Sequence, residues 1–392
     1  MRSKANPAIY TCGSKTREPE RIAYVFQGGG ALGSFQVGVI QALHEYDYCP
    51  DIVSGISIGA INAAIMAGNT RGQRLEKLIA FWDGIATQFP FDKLQSTQWC
   101  QGLYNNLGAA SSIFFGQAGF FTPRMSNLFL KQNAPLDEIS FYDLAPLRET
   151  LLALIDFDLI NTKAVPLYLG AVCVETGSLK FFCNETDIIT PEHVMASASL
   201  PPSFGAIKIK DRHYWDGAVY ANTPLTAILD AKPERNTLCF AVNCFSAAGS
   251  LPDSLDSVEQ RIKEIRYSSH LSDYVEAYSR QQNFRCIISH LADKIPTNEK
   301  DDPMIQALLS EASPKLVQIV QLNYTTNPAD HASKDYNFAR NALDDHRQNG
   351  YETACKALTR KPWATQPESY IGAVVYEEEN CGIGVIKHET TK

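Results

Sequence analysis

Residues Gly55-Ile56-Ser57-Ile58-Gly59 place a serine between two glycines, after the apolar pair Ile52-Val53 and before the small, helix-like run Ala60 to Ala67. That pattern leaves the backbone few options. A strand must turn sharply into a helix, holding one hydroxyl at the tip of the turn. Gly55 and Gly59 let the two backbones approach where a Cβ would clash. The start of the following helix points its positive end at Ser57 and favours negative charge beside it. A serine capping a helix after an ordinary turn would need some of the same residues, so the surrounding sequence decides.

Upstream, Tyr24-Val25-Phe26-Gln27 runs into Gly28-Gly29-Gly30-Ala31-Leu32-Gly33, and a helical pattern follows. Successive glycines leave backbone N–H groups unshielded, free to converge on an anion at a helix start. Such a loop can cradle a phosphate or stabilise the oxyanion of an acyl-transfer intermediate. The dinucleotide alternative needs a suitably placed acidic residue after the next strand. Here the next strand ends in the serine turn, and this pairing of anion loop with nucleophile favours acyl transfer.

A serine needs a base to take its proton. Tyr214-Trp215-Asp216-Gly217-Ala218 ends an aromatic, strand-like run in an aspartate followed by two small residues. Of the eight histidines, none after Asp216 lies in an obvious catalytic turn; His290 follows an apolar run, and His270, His331, His346 and His388 have polar neighbours in sequence. A two-residue arrangement, with Asp216 meeting Ser57 directly, is the economical expectation.

The three motifs, Gly28 to Gly33 (G-G-G-x-x-G), Gly55 to Gly59 (G-x-S-x-G) and Asp216-Gly217-Ala218 (D-G-A), in that order, resemble the patatin-like phospholipase family. Ala196 to Phe204 also resembles the segment preceding the aspartate motif in patatins. Where Leu32 stands, some members carry a cationic residue, so the oxyanion would rely on backbone amides. The resemblance implies a three-layer α/β/α fold with a mainly parallel sheet and metal-free, cofactor-free hydrolysis of lipid acyl esters. It further implies Ser57 as nucleophile and Asp216 as general base. The oxyanion hole falls to the amides of Gly28, Gly29 and Gly30, with that of Ile58 as a further donor. Segments around Phe245–Pro252, Ile265–Ser269 and Lys334–Arg340 are similar to a C-terminal extension found after the patatin region in many bacterial proteins.

Domain limits follow: a polar N-terminal segment over residues 1–20, a catalytic unit over 21–245, and an α/β extension over 246–392 packed on it. Arg21–Phe26, Asp51–Ser54, Val165–Val174, Leu179–Cys183, Asn236–Cys244 and Lys315–Leu322 read as strands. Gly33–Tyr46, Gly72–Trp82, His193–Ser199, Ser257–Arg280 and Asp335–Leu358 read as helices. The alternation β-α-β-α argues for parallel strands. Residues Phe89 to Arg124 mix aromatics and glycines irregularly, and are expected to form a flap that lines an acyl pocket or touches a lipid surface.

The net charge of −8 argues against nucleic acid as an electrostatically steered partner. Ten scattered cysteines without C-x-x-C spacing suggest reduced thiols and a cytosolic setting rather than a metal site. Residues 1–20 lack the apolar stretch of a signal peptide, and no apolar run reaches membrane-spanning length. Contact with lipid would then be transient and made from the water side. Export by a dedicated machine, as for some bacterial patatin-like effectors, stays open, as does oligomeric state. Thioester or short-chain ester hydrolysis by the same dyad is the nearest alternative. An interaction protein on a hydrolase fold is the alternative from another class.

Overall fold

A computed structural model describes residues 17–88, 108, 111–124, 134–231, 234–326, 333–379 and 382–385. Residues 1–16 of the expected N-terminal segment and 89–107, 109 and 110 of the expected flap lie outside these. The first strand, β1 (Arg21–Phe26), leads through the glycine loop into α1 (Gly33–Glu45). Then come β2 (Ile52–Ile56), α2 (Ile58–Ala67) and α3 (Arg74–Gly84). A two-residue ribbon, β3 (Thr122–Pro123) with β4 (Tyr142–Asp143), precedes α4 (Ala145–Leu154) and α5 (Phe157–Asn161). The middle of the chain adds β5 (Leu167–Cys173), β6 (Leu179–Cys183), α6 (Pro191–Ser197), β7 (Ile207–Ile209), β8 (Arg212–Asp216), α7 (Leu225–Leu229) and β9 (Thr237–Asn243). After residue 245 come the long helix α8 (Leu255–Ala292), α9 (Pro303–Ser310), β10 (Val317–Asn323), α10 (Arg340–Arg360), β11 (Ala373–Glu379) and β12 (Gly382–Val385).

One sheet holds the two parts together. Its order is β12-β11-β10-β9-β1-β2-β5-β8-β7, with β6 also paired to β5. From β11 through β5 every neighbouring pair is parallel, and the antiparallel pairs involve β12, β6, β8 and β7 at the margins. The strands after residue 245 extend the same sheet: β10 pairs along the whole of β9, from Val317 opposite Thr237 to Asn323 opposite Asn243.

Strand periodicity buries both faces, giving three layers. Along β1 and β9, Tyr24, Phe26, Leu238, Phe240 and Val242 project into a core shared with α1, α2 and α10. Ala23, Val25, Cys239 and Ala241 face the other way, against Leu225 and Ile228 of α7 and Val275 and Tyr278 of α8. Helices α1 and α10 approach at glycines: a Cβ on Gly38 would overlap the Arg347 carbonyl, and one on Gly350 the Phe35 carbonyl. The helix after the glycine loop is thereby locked to the C-terminal part.

Several element boundaries differ from the sequence expectation. The helix expected over 257–280 runs on to Ala292, because no Gly or Pro interrupts it. The helix expected from Asp335 begins at Arg340; Lys334–Tyr336 forms a separate single turn, and Asn337 is extended. Helices α4 and α5 were not anticipated, nor were β11 and β12. The described cysteines, including core residues Cys173 and Cys239, are free thiols.

Candidate active site

Strand β5 brings Ser57 and Asp216 together. Gly170 of β5 is opposite both Ile56 of β2 and Phe181 of β6, while Ala171 is opposite both Asp216 of β8 and Lys180 of β6. Because β6 fills one edge, β2 and β8 must share the other. Strand β2 runs parallel to β5 and β8 antiparallel, so the two meet tip to tip between Gly170 and Ala171. Their C-terminal ends carry Ser57 and Asp216. The junction is tight: a Cβ on Gly217 would lie 2.7 Å from the Gly170 carbonyl oxygen.

The end of α6 fastens both chain ends. Ser57 N–H donates to the Ser197 carbonyl at 2.9 Å and lies 3.2 Å from Ser197 Oγ, while Asp216 N–H donates to the Ser199 carbonyl at 3.0 Å. Ser197 Oγ–H in turn donates to the Gly170 carbonyl at 2.6 Å. Ser57 has φ 58° and ψ −129°, a left-handed conformation that a side chain adopts only when its surroundings impose it. Gly55 and Gly59 permit the turn, since a Cβ on Gly55 would overlap the Gly59 carbonyl and one on Gly59 the Phe26 carbonyl.

Asp216 is completely buried. Oδ1 accepts the Ala218 N–H at 2.8 Å, and Oδ2 has no hydrogen bond of ordinary geometry. Burial pushes its pKa from 3.8 up to about 7, opposed by the Ser57 hydroxyl and then by the Ala218 amide. Ser57 thus lies within electrostatic reach of the carboxyl without closing a hydrogen bond of ordinary geometry.

The glycine loop lies alongside. Gly30 has φ 55°, and a Cβ there would overlap the Asp335 carbonyl oxygen, so a residue of the C-terminal part presses directly on the loop. Gly29 packs on Cys244, and Gly33 on Ile58 and Trp82. The Gly28 N–H is already donated to the Asn222 carbonyl at 3.1 Å. Among the described residues the amides of Gly29, Gly30 and Ile58 have no acceptor, so the expected set of donors narrows to these three.

Sequence reasoning missed the residues that hold the loop. Asn222 Nδ2–H donates to the Gly28 carbonyl at 3.0 Å, and its Oδ1 is a buried acceptor without a partner. Gln27 Oε1 accepts the N–H groups of Cys244 and Phe245 at 2.7 and 2.9 Å, while Nε2 reaches Thr223 Oγ1 at 3.0 Å and the Tyr267 carbonyl at 3.2 Å. Gln36 and Asn62 continue this buried chain to the Trp82 indole N–H. The available signals were slight: a glutamine ending an apolar strand, and an asparagine shortly after the aspartate motif.

Ser57 opens onto a cavity of about 360 Å³. Phe120, Phe121, Tyr142, Phe204 and Phe338 form one wall, with ring centroids 4.9 to 6.4 Å apart. Tyr267, Asp335, Tyr336 and Phe338 reach it from beyond residue 245. The expected flap divides in two: Phe120 and Phe121 are buried in the wall, whereas Phe114 and Phe115 are 72% and 81% exposed. No histidine among the described residues lines the cavity. His346, expected in polar surroundings, is buried edge-on against Tyr324.

A family model described as "Patatin-like phospholipase" matches residues 24–229, more than half of the chain, and another described as "Patatin phospholipase" matches 265–370. Among curated proteins, the chain is 32% identical over 102 residues to a patatin-like phospholipase domain-containing protein of Neurospora crassa, covering 21% of this chain and 12% of that protein. It is 47% identical over 47 residues to triacylglycerol lipase 4 of Saccharomyces cerevisiae (12% and 5% covered). With lysophospholipase nte1 of Aspergillus terreus the identity is 52% over 46 residues (12% and 3%). The similarity therefore spans 12% or less of the length of these relatives. Among solved structures, VipD from Legionella pneumophila aligns over 88% of this chain and 68% of its own, at 15% identity and a TM-score of 0.37. The type III effector ExoU aligns over 88% and 53%, at 14% identity and a TM-score of 0.32.

Proposed function

The chain belongs to the patatin-like phospholipase family, and we propose that it hydrolyses carboxylic esters of lipids through Ser57 and Asp216. One observation carries the reading. A serine in a left-handed turn adjoins a buried carboxyl whose pKa lies near 7, at the floor of an apolar cavity. A base titrating near neutrality is well matched to proton abstraction at that pH.

In the proposed cycle Asp216 accepts the Ser57 proton as Oγ attacks the ester carbonyl carbon. The oxyanion is received by the amides of Gly29, Gly30 and Ile58. Collapse breaks the C–O bond, and the departing alcohol takes the proton from Asp216. Water then attacks the acyl-serine, with Asp216 again as base, and releases the acid and free Ser57. One amide donor in such a site is worth roughly 3–4 kcal/mol of barrier. The phenylalanine wall suits an acyl chain. In this division residues 21–245 supply the reacting groups, and the segment 246–392 closes the cavity through Tyr267, Tyr336 and Phe338.

Among the described residues no helix is long and apolar enough to cross a membrane. The exposed pair Phe114 and Phe115, close to the wall residues Ile113 and Phe120, supports transient contact with a lipid surface.

The test is covalent labelling by a fluorophosphonate probe, with Ser57→Ala and Asp216→Asn as controls, followed by product analysis on phospholipid, lysophospholipid, triacylglycerol and acyl-thioester substrates. Labelling at Ser57 and ester turnover lost in both variants is the expected result. An unlabelled protein, or full turnover in either variant, overturns the assignment. Preference for thioesters would replace the substrate class and leave the dyad.

A further inference from the structure

A second cavity, of about 530 Å³, lies at the opposite end of the strands from Ser57. Its lining comes from the starts of parallel strands and the loops beside them: Arg21 opens β1, Ile52 opens β2, Pro166 precedes β5 and Arg235 precedes β9. Arg71 and Arg74, from the connection between α2 and α3 and the start of α3, bring the arginines to four.

Arg21 is the informative member. Its side chain is 6% exposed, and its guanidinium keeps its charge at any ordinary pH. Its Nε–H and Nη2–H both donate to Thr237 Oγ1, at 3.1 and 3.0 Å. No carboxylate among the described residues pairs with it. Burial, then repulsion from Arg235, holds its pKa below the ordinary arginine value. Arg74 is only half-buried: its Nε–H donates to the Asn69 carbonyl at 3.2 Å, no described carboxylate pairs with it, and partial burial lowers its pKa. A buried cation without an anion is costly, and folds keep one where something compensates it.

Carboxylates stand nearby as well, two of them in the lining. Asp51 Oδ2 accepts the Ile22 N–H at 2.7 Å, Glu185 Oε2 accepts the Tyr168 hydroxyl at 3.0 Å, and Asp47 pairs with Arg71. In a chain of net charge −8, four arginines against Asp51 and Glu185 still leave this lining with positive charge in excess.

We propose that this cavity binds a phosphate-class anion, a phosphate monoester or diphosphate on a soluble molecule. Several arginines lining one space suit a multivalent, multi-oxygen anion better than a single carboxylate. The volume exceeds that of bare phosphate and falls within the range of small-molecule sites. The soluble source follows from position, because the cavity is at the far end of the strands from the Ser57 pocket that would face lipid. The anion site itself is independent of the hydrolase reading, and only the soluble source rests on it.

Pyrophosphate is the probe, titrated by calorimetry and by thermal unfolding at constant ionic strength, with sulfate for comparison and phosphatidic acid vesicles as a parallel arm. The parent is expected to bind pyrophosphate, with a Tm higher by a few degrees near saturation. Arg74→Gln and Arg235→Gln, which spare the packed Arg21, should each weaken binding by roughly tenfold or more, with Tm in the absence of pyrophosphate nearly unchanged. No binding, or binding undiminished in both variants, overturns the site. A response to vesicles alone overturns the soluble source.

Discussion

Replacing Asp216 with Asn removes charge from a place without water and with little compensation. The carboxyl is fully buried and holds one amide bond, from Ala218 at 2.8 Å. Burial pushes its pKa from 3.8 up to about 7. Since the folded-state pKa lies above the unfolded one, the associated stability is complete below about pH 3.8. It declines as the pH rises and is lost once the pH passes about 7. At about 1.4 kcal/mol per pH unit the full difference is roughly 4 kcal/mol. Asn keeps an acceptor for the Ala218 amide and does not ionise. The stability of Asp216→Asn relative to the parent should therefore grow by about 4 kcal/mol between pH 4 and pH 8, whatever constant offset its amide introduces, while hydrolysis disappears. Denaturant unfolding of both proteins at a series of pH values measures this gap. In the parent, kcat/KM on a soluble acyl ester should climb about tenfold per pH unit and level off near pH 7. A stability gap that stays flat across the range would refute the reasoning, because the ionised carboxyl would then incur no desolvation cost.

Gly30→Ala forces a Cβ onto the Asp335 carbonyl at a left-handed φ. It should cost about 1–3 kcal/mol of stability and lower kcat by about a hundredfold or more; unchanged unfolding and kinetics would show that the loop has room. Asn222→Ala removes the Nδ2–H bond to the Gly28 carbonyl. It should reduce kcat with KM little altered, since the loop amides lose their support, and a change confined to KM would count against this positioning role. Phe114→Ser with Phe115→Ser should weaken partition onto lipid vesicles by roughly 2 kcal/mol per ring and leave turnover of a soluble ester unaltered. Equal vesicle binding by the double variant and the parent would exclude these rings as the contact.

The turn around Ser57 and the glycine loop were legible because their geometry is local. A left-handed serine and backbones in contact demand glycine at particular neighbours, and that demand is visible one residue at a time. Strand periodicity likewise announced β1, β2, β5, β9 and β10. The Gly28 amide was expected in the oxyanion hole, yet it is engaged by Asn222, a partner 194 residues away. No local pattern carries that information. Nor could the parallel alternation disclose β8 turning back along β5 to meet β2 end to end.

By itself the amino-acid order determined the turn that presents Ser57, the glycine-rich loop before α1 and the mainly parallel α/β sheet, since these follow from backbone sterics and side-chain alternation within short windows. Tertiary structure alone decided how deeply the Asp216 carboxyl is buried, how far its proton affinity rises, and which distant rings wall the cavity. Those properties depend on contacts between segments far apart in the chain and on the exclusion of water, which come into being only when the sheet has assembled.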